Sequence, residues 1–247
     1  MAVSISRIPA DSIGVRRRTF PTIAVVGNPN CGKSTLFNRL TGLRQKTGNY
    51  PGVTVEKHTG TLRADGFAIE LVDLPGTFGL SAGSSEERIA VDVVLGRVEA
   101  TPKPDGVLVV ISASNLYQGL YLLQQMMELG MPVLVALTMT DAAEAAGIRI
   151  DAKALEQHLG GVQVCPVIAT TGKGFDELRS ALAGLEQKPP PDLPDSWAEL
   201  TAAANQLHSQ GEGEISRVEI ERALIDTEGE LSSDVAERLG SDGLRKL

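Results

Sequence analysis

The feature that most constrains this chain is a glycine-rich segment close to its N-terminus. Residues 27–34 are GNPNCGKS, which fits the spacing G-x-x-x-x-G-K-[ST] of the loop that cradles phosphates in nucleoside-triphosphate binders. An apolar, β-branched run at 22–26 precedes the loop, and an amphipathic segment at 34–43 follows it. Strand, glycine loop and helix start therefore come in the required order, and the pattern predicts nucleotide binding.

The residue types of this loop suit a triphosphate. Gly27 and Gly32 let the backbone turn tightly and approach the phosphates, so that amides of the loop and of the helix N-terminus can point at the anion. Lys33 supplies a positive charge for the β- and γ-phosphates, and the hydroxyl of Ser34 can bind Mg²⁺. A chance glycine turn is the alternative interpretation, and the flanking segments make it the weaker one.

A second pattern typical of nucleotide sites lies at 73–77, where the sequence DLPGT follows an apolar strand. Asp73 can hold the hydration shell of Mg²⁺, and the N–H of Gly76 can reach the γ-phosphate because glycine permits a close approach. A plain turn after a strand is the alternative, but downstream of a phosphate loop it is the weaker interpretation.

The remaining pattern predicts an α/β fold in which strands alternate with helices. Strands are expected at 22–26, 53–62, 67–72, 106–112, 131–137 and 162–168, with 53–62 and 67–72 forming an antiparallel edge hairpin. Helices are expected at 34–43, 84–96, 115–130, 151–159 and 174–185, and the polar segment 44–52 is expected to be a mobile loop. We therefore expect a mostly parallel, six-stranded sheet with helices on both faces, followed by a small all-helical domain.

Composition shifts divide the chain into four parts. Residues 1–20 have no sustained period and predict a flexible extension, although Val3, Ile5 and Ile8 could instead pack on a neighbour. Residues 21–187 hold the alternating pattern and both nucleotide motifs. The proline-rich segment 188–195 predicts a stiff linker, and 196–247, with two capping-box patterns, predicts a small helical domain.

Charge and cysteine content exclude several classes of protein. The net charge of −8 argues against general nucleic-acid binding, since phosphate contacts need clustered Lys and Arg. Two widely separated cysteines do not form a disulfide framework and suit a reducing cytoplasm. No signal-peptide or membrane-spanning stretch is present in the sequence, so a soluble polypeptide is expected.

The segment 138–141, TMTD, follows a buried strand at the end where doubly wound sheets bind ligands. The carboxylate of Asp141 can accept hydrogen bonds from the N1–H and N2–H₂ groups of guanine, whereas adenine would leave it unpaired. The usual guanine motif is N-K-x-D or N-x-x-D. Because Thr138 stands at its first position, the base motif is only partial.

With these motifs the chain resembles a known family, the N-terminal G domain of the bacterial ferrous iron transporters called FeoB. The matching segments are 27–38, 48–56, 73–77, 114–116 and 120–122, with Leu80 and Ser81. They cover roughly 22–185, and the helical tail resembles that family's helical domain in place and size. The resemblance implies a P-loop GTPase fold that hydrolyses GTP to GDP and phosphate with Mg²⁺.

The resemblance also implies roles for individual residues. Thr54 would be the switch threonine that closes on Mg²⁺ and the γ-phosphate, and Asn30 would help to hold a potassium ion beside the phosphates. Mg²⁺ would be held by Ser34, Thr54 and Asp73, and the catalytic residues would be Asn30, Lys33, Thr54 and Gly76. The expected GTP/GDP-binding residues are Gly27, Asn28, Asn30, Cys31, Gly32, Lys33, Ser34, Thr35, Thr54, Asp73, Gly76, Thr138, Met139, Asp141, Ala169 and Thr170.

Position 77 is Thr and not the glutamine that orients water in Ras-like proteins. Backbone groups near 50–53 are therefore predicted to place the attacking water, in a slow and potassium-stimulated hydrolysis. Further departures are Thr138 for Asn, Ser112 where the family often has Asp, Gly119 where it often has Asn, and a short base loop at 169–174. They predict weak, fast-exchanging GTP and GDP binding with reduced guanine selectivity.

By the same resemblance, the partner would be a transporter membrane domain absent from this chain, at the cytoplasmic face of the bacterial inner membrane. Whether the chain forms a homo-oligomer is left open. A nucleotide-sensing switch that barely hydrolyses is the main alternative, and a ribosome-associated GTPase is disfavoured by the acidic balance. Cys31 is interpreted as a small filler residue rather than a reactive thiol, and the three histidines show no metal-ligand spacing.

Overall fold

The computed structural model describes residues 20–42, 45–51, 53–64, 66–80, 84–98 and 101–191, together with 206, 208, 220 and 235. The predicted N-terminal extension therefore lies outside the described residues except for Phe20. The end of the predicted linker, 192–195, also lies outside them, as does the predicted helical domain apart from four single positions. These four, Gln206, His208, Ile220 and Val235, are helical, and the last two are buried.

Strands and helices alternate along the described chain. The strands are β1 Thr22–Gly27, β2 Gln45–Asn49, β3 Glu56–Ala64, β4 Phe67–Asp73, β5 Gly106–Ser112, β6 Val133–Thr138 and β7 Val164–Pro166. The helices are α1 Lys33–Thr41, α2 Ser85–Leu95, α3 Leu116–Glu128, α4 Thr140–Ala145, α5 Ala152–His158 and α6 Phe175–Leu182, with short 3₁₀ turns at Ala113–Asn115 and Leu185–Gln187.

The strands of the described residues form one sheet in the order β2-β3-β4-β1-β5-β6-β7. Strands β4, β1, β5, β6 and β7 pair in parallel, whereas β2 with β3 and β3 with β4 are antiparallel. The predictions of a mostly parallel sheet and of an antiparallel β3–β4 hairpin are confirmed, but β2 and not this hairpin forms the edge. The predicted number of six strands is wrong, because the described residues alone form a sheet of seven.

The additional strand is β2, which lies within the segment predicted as a loop. All five of its residues, QKTGN, are exposed. It is an edge strand that pairs with β3, with Thr47 opposite His58, and it has no face in the core. A strand without a buried face carries no apolar alternation, and its sequence therefore looks like that of a loop.

The core lies on both faces of the sheet. In β1, Ala24 and Val26 pack into one hydrophobic cluster, whereas Ile23 and Val25 pack into the other. Helices α2 and α3 cover the first face, and α1 and α6 cover the second. The prediction of helices on both faces is confirmed. No helix among the described residues is both long enough and apolar enough to cross a bilayer.

Capping residues fix where two of the helices, α2 and α5, begin. Ser84 lies before α2, and its hydroxyl accepts a hydrogen bond from the N–H of Glu87 at 3.1 Å. Asp151 accepts from Lys153 and Ala154 at the start of α5. Both starts agree with the sequence, because Ser and Asp satisfy amides that have no partner within the helix.

The cap of α2 can be tested by substitution. We expect Ser84→Ala to lower the free energy of unfolding by about 1 kcal/mol, since an amide of the first turn loses its acceptor. Ser84→Asp keeps an acceptor and should keep the stability. Urea unfolding followed by circular dichroism measures both. An alanine variant as stable as the wild type would contradict the role of the cap.

Candidate nucleotide site

The phosphate loop connects β1 to α1 at the carboxyl ends of the parallel strands, where ligands bind in sheets of this kind. Gly32 precedes α1 with φ of 85°, a left-handed conformation that glycine adopts without strain. Asn30 is also left-handed, with φ of 65°, and its side chain is exposed. The predicted order of strand, loop and helix is therefore confirmed.

An ion pair lies directly beside this loop. The Nζ atom of Lys33 is 2.5 Å from Oδ1 of Asp73, and each side chain is only 10% exposed. Strand β4 is the parallel neighbour of β1, and Asp73 is level with Val25 in the register. The fold thus places a cation and a carboxylate from two separate motifs together. These are the charges that a phosphate chain and its metal ion require.

A cavity of about 370 Å³ opens at this ion pair. Thr54 lines it together with Lys33 and Asp73, so the structure brings the predicted switch threonine to the two charged residues. Ser34 and Thr35 follow Lys33 in the first turn of α1 and are exposed. The hydroxyl and carboxylate oxygens present here are the ligand types that Mg²⁺ prefers, so the residues fit that ion.

Hydrogen bonds fix the segment 73–77 against the phosphate loop. The N–H of Thr77 donates to the carbonyl of Gly27 at 3.2 Å, and the amide of Asn28 donates to the carbonyl of Thr77 at 3.1 Å. The hydroxyl of Thr77 is buried and donates to the carbonyl of Gly79 at 2.6 Å. It is therefore engaged within its own segment. Gly76 lies against the ring of Pro29.

The loop that carries Thr54 is anchored by Tyr50, whose side chain is buried in the core. The backbone closes on itself there, since Tyr50 N–H donates to the carbonyl of Val55 and Val53 N–H donates to that of Tyr50. Burial raises the pKa of the Tyr50 phenol. The Nζ atom of Lys57 lies 5.6 Å from the centre of the Tyr50 ring. Burial lowers the pKa of this lysine.

On the opposite side of the loop, Thr138 ends β6. Its hydroxyl is 2.6 Å from the carbonyl oxygen of Cys31 and 3.1 Å from that of Ile111. Thr138 therefore ties the phosphate loop to the sheet, although it has no amide for a base. Met139 follows with φ of 56°, near Gly32. Asp141 lies in the first turn of α4, and its side chain is exposed.

The predicted base loop at 169–174 is held by an arginine of α1, a contact that no sequence pattern indicates. Arg39, on α1, donates from Nη1 to the carbonyls of Ala169 and Thr170, both at 3.1 Å, and from Nη2 to that of Thr171 at 3.0 Å. These partners are about 130 residues away in the chain. A surface arginine on an amphipathic helix is ordinarily solvated, so its role becomes visible only in the fold.

The two cysteines are buried. Burial raises the pKa of the Cys31 thiol, and it raises that of Cys165 to about 11. Both thiols are therefore neutral near pH 7, which favours the interpretation of Cys31 as a filler residue. Within the described part of the chain, no group of three or more His, Cys, Asp or Glu residues is placed to hold a metal ion.

The fold and this site define a P-loop nucleotide-binding domain of the GTPase type. A family model described as ferrous iron transport protein B matches residues 21–182, which is more than half of the chain. The chain belongs to this family, as the resemblance in the sequence indicated.

Individual relatives agree with this assignment. The Fe(2+) transporter FeoB of Leptospira biflexa is 45% identical over 161 residues, a match that covers 65% of this chain but 23% of that protein. The chain thus spans about a quarter of the length of that relative. The cytosolic domain of T. maritima FeoB in a GDP form is similar with a TM-score of 0.76 at 32% identity, covering 90% of this chain and 86% of that one. Its GMPPNP form gives 0.75 at 31% identity, with the same coverage of both chains.

The contact of Thr138 with the phosphate loop leads to a prediction about stability. Thr138→Val keeps the shape of the side chain but leaves the Cys31 carbonyl without this donor, so we expect the free energy of unfolding to fall by about 1–3 kcal/mol. Thr138→Ser keeps the hydroxyl and should lose less. Chemical denaturation of the three proteins measures the difference. A valine variant more stable than the serine variant would contradict the role of the hydroxyl.

Proposed function

We propose that this chain is the GTP-binding and GTP-hydrolysing domain of a ferrous iron transporter. The observation that carries the proposal is the Lys33–Asp73 pair at the phosphate loop, which joins the two nucleotide motifs in one place. Relatives solved in GDP and GMPPNP forms support a guanine nucleotide as the ligand. The Leptospira biflexa relative, described as an Fe(2+) transporter, supports the biological setting.

GTP would lie with its phosphates on the loop 27–34 and its base between the ends of β6 and β7. The amides of Gly27, Asn28, Asn30, Cys31 and Gly32 and the side chain of Lys33 would bind the β- and γ-phosphates. The base would contact Thr138, Met139, Asp141, Ala169 and Thr170. Asp141 is the residue whose charge favours guanine, and its exposed position leaves it open to a ligand.

Two cations would assist the hydrolysis of GTP. Ser34, Thr54 and Asp73 would hold Mg²⁺, and Asn30, exposed at the edge of the loop, would contribute an amide oxygen to K⁺. When bound, such cations offset the negative charge that develops on the phosphoryl oxygens during hydrolysis. The N–H of Gly76 would add a hydrogen bond at the γ-phosphate.

Hydrolysis is expected to be slow. The Thr77 hydroxyl donates to the carbonyl of Gly79, so this side chain is not available to orient water. Backbone groups near 50–53 would do so instead, in a loop that Tyr50 anchors. The same observation favours the second candidate, a nucleotide-sensing switch with little hydrolysis. Phosphate release in a single turnover, with Mg²⁺ and K⁺ present, separates the two.

The chain would have four parts. Residues 21–187 would form the G domain, 188–195 a linker and 196–247 a helical domain, with 1–20 as an N-terminal extension. Because the Leptospira biflexa relative is more than four times longer than the matched part, a membrane domain outside this chain would carry iron. The G domain would then lie at the cytoplasmic face of the bacterial inner membrane.

The nucleotide site is tested through Lys33. We expect Lys33→Ala to weaken binding of GDP and of GMPPNP at least about tenfold in calorimetry, since a charge-assisted contact to phosphate is lost. Lys46→Ala, which removes an exposed lysine on β2, is the matched control and should bind normally. Near-ultraviolet circular dichroism checks that the folded state is kept. Unchanged affinity in a folded Lys33→Ala protein would refute the proposal.

The cation role is tested separately. We expect single-turnover GTP hydrolysis to be faster in K⁺ than in Na⁺ at equal ionic strength, and we expect Asn30→Ala to abolish this difference while GDP still binds. The reason is that the amide oxygen of Asn30 would be one of the ligands of the monovalent ion. Hydrolysis at the same rate in both salts would exclude a role for potassium and would leave the proposal of nucleotide binding unchanged.

A further inference from the structure

The guanidinium of Arg39 joins two parts of the nucleotide site that are far apart in the chain. It projects from α1, the helix that begins at the phosphate loop, and it donates to three successive carbonyls at 169–171. Its Cζ atom lies over the Phe175 ring at the start of α6, 5.4 Å from the ring centre. The side chain is therefore held by a cation–π contact as well as by hydrogen bonds.

The loop that Arg39 contacts is a tight turn. Ile168 N–H donates to the carbonyl of Lys173 at 3.0 Å, and Gly172 N–H donates to that of Ile168 at 2.8 Å. A Cβ atom at position 172 would lie 2.3 Å from Nη2 of Arg39. Glycine at this position is thus what lets the guanidinium approach the turn, and the two features form one arrangement.

The direction of the carbonyls decides what the loop can offer to a base. In a planar trans peptide the N–H points opposite to the carbonyl of the same unit. Because the carbonyls of Ala169 and Thr170 point at Arg39, the N–H groups of Thr170 and Thr171 point away from it. Arg39 therefore fixes the orientation of two adjacent donors in the predicted base loop.

We infer that Arg39 is a positioning residue for the recognition of a 6-oxopurine. By holding the loop 169–171, it would keep backbone N–H donors directed at the O6 carbonyl of guanine and slow the release of the nucleotide. This inference rests on the proposed function. Lysine cannot replace arginine here, because a single ammonium lacks the rigid fork that reaches several carbonyls at once.

The binding of three nucleotides, GDP, IDP and ADP, distinguishes the role of Arg39 from that of Asp141. GDP and IDP both carry the 6-oxo group, whereas ADP carries a 6-amino group, and only GDP has the 2-amino group that Asp141 would bind. Arg39→Ala should therefore weaken GDP and IDP by the same factor and leave ADP unchanged. Asp141→Asn should instead reduce the preference for GDP over IDP.

The experiment measures dissociation rates of fluorescent GDP and IDP from the full chain, with ADP affinity obtained by competition. We expect Arg39→Ala and Arg39→Lys to release both 6-oxopurine nucleotides about tenfold faster, as loss of charge-assisted hydrogen bonds would do. Arg179→Ala is the matched control, since Arg179 also lies over Phe175 but donates to Asp176 and not to the loop.

Each outcome of this experiment supports or overturns the role of Arg39. If the affinity for ADP fell by the same factor by which GDP and IDP release accelerates, Arg39 would act through the helix or the phosphate loop. Unchanged release of GDP and IDP from Arg39→Ala would mean that it does not act on the site. Either result overturns the inference. If Arg39→Ala fails to fold, the folded Arg39→Lys protein gives the same comparison. A wild-type chain that binds none of the nucleotides would instead refute the proposed function itself.

Discussion

The ion pair between Lys33 and Asp73 is the contact on which the candidate site depends. It exists because β4 lies beside β1 in parallel, which brings the end of one nucleotide motif to the start of α1. Both side chains are largely buried, and removal of one partner of such a pair costs on the order of 3–5 kcal/mol, since the other charge is left unpaired. A ligand that carries both a negative phosphate chain and a metal ion can give each residue a new partner, the phosphates for Lys33 and the metal ion for Asp73.

Around this pair, the phosphate loop is held from several sides. Segment 73–77 is joined to it through the N–H of Thr77 and the side chain of Asn28, and β6 is joined to it by the hydroxyl of Thr138. Arg39 extends the connection from α1 to the loop at 169–171. The conformation of the loop is thus fixed by neighbouring strands and not by its own sequence alone.

The parts that could be predicted from sequence are those with a local cause. The glycine loop, Asp73 after a strand and the cap at Ser84 each follow from residue types within a few positions. Strand β2 could not be predicted, because an exposed edge strand has no buried face, and α4, with six residues, is too short to show a period. The anchoring of Tyr50 in the core also differs from the expectation of a mobile loop.

The residues predicted to bind the base were likewise only partly predictable from the sequence. The sequence predicts that Thr138 loses hydrogen bonds relative to asparagine, yet its hydroxyl keeps the contact with the phosphate loop. What threonine lacks is an amide for the base. The link between Arg39 and residues 169–171 depends on tertiary structure, since about 130 residues separate the partners. Membership of the ferrous iron transport protein B family was evident from sequence because its motifs are contiguous.

We propose that a magnesium nucleotide binds at the Lys33–Asp73 pair, and a crystal structure of this chain with GMPPNP and Mg²⁺ would show whether it does. We expect Nζ of Lys33 to move from Asp73 to oxygens of the β- and γ-phosphates, while the carboxylate faces the hydrated metal ion. An intact ion pair, with the nucleotide bound elsewhere or not at all, would contradict it.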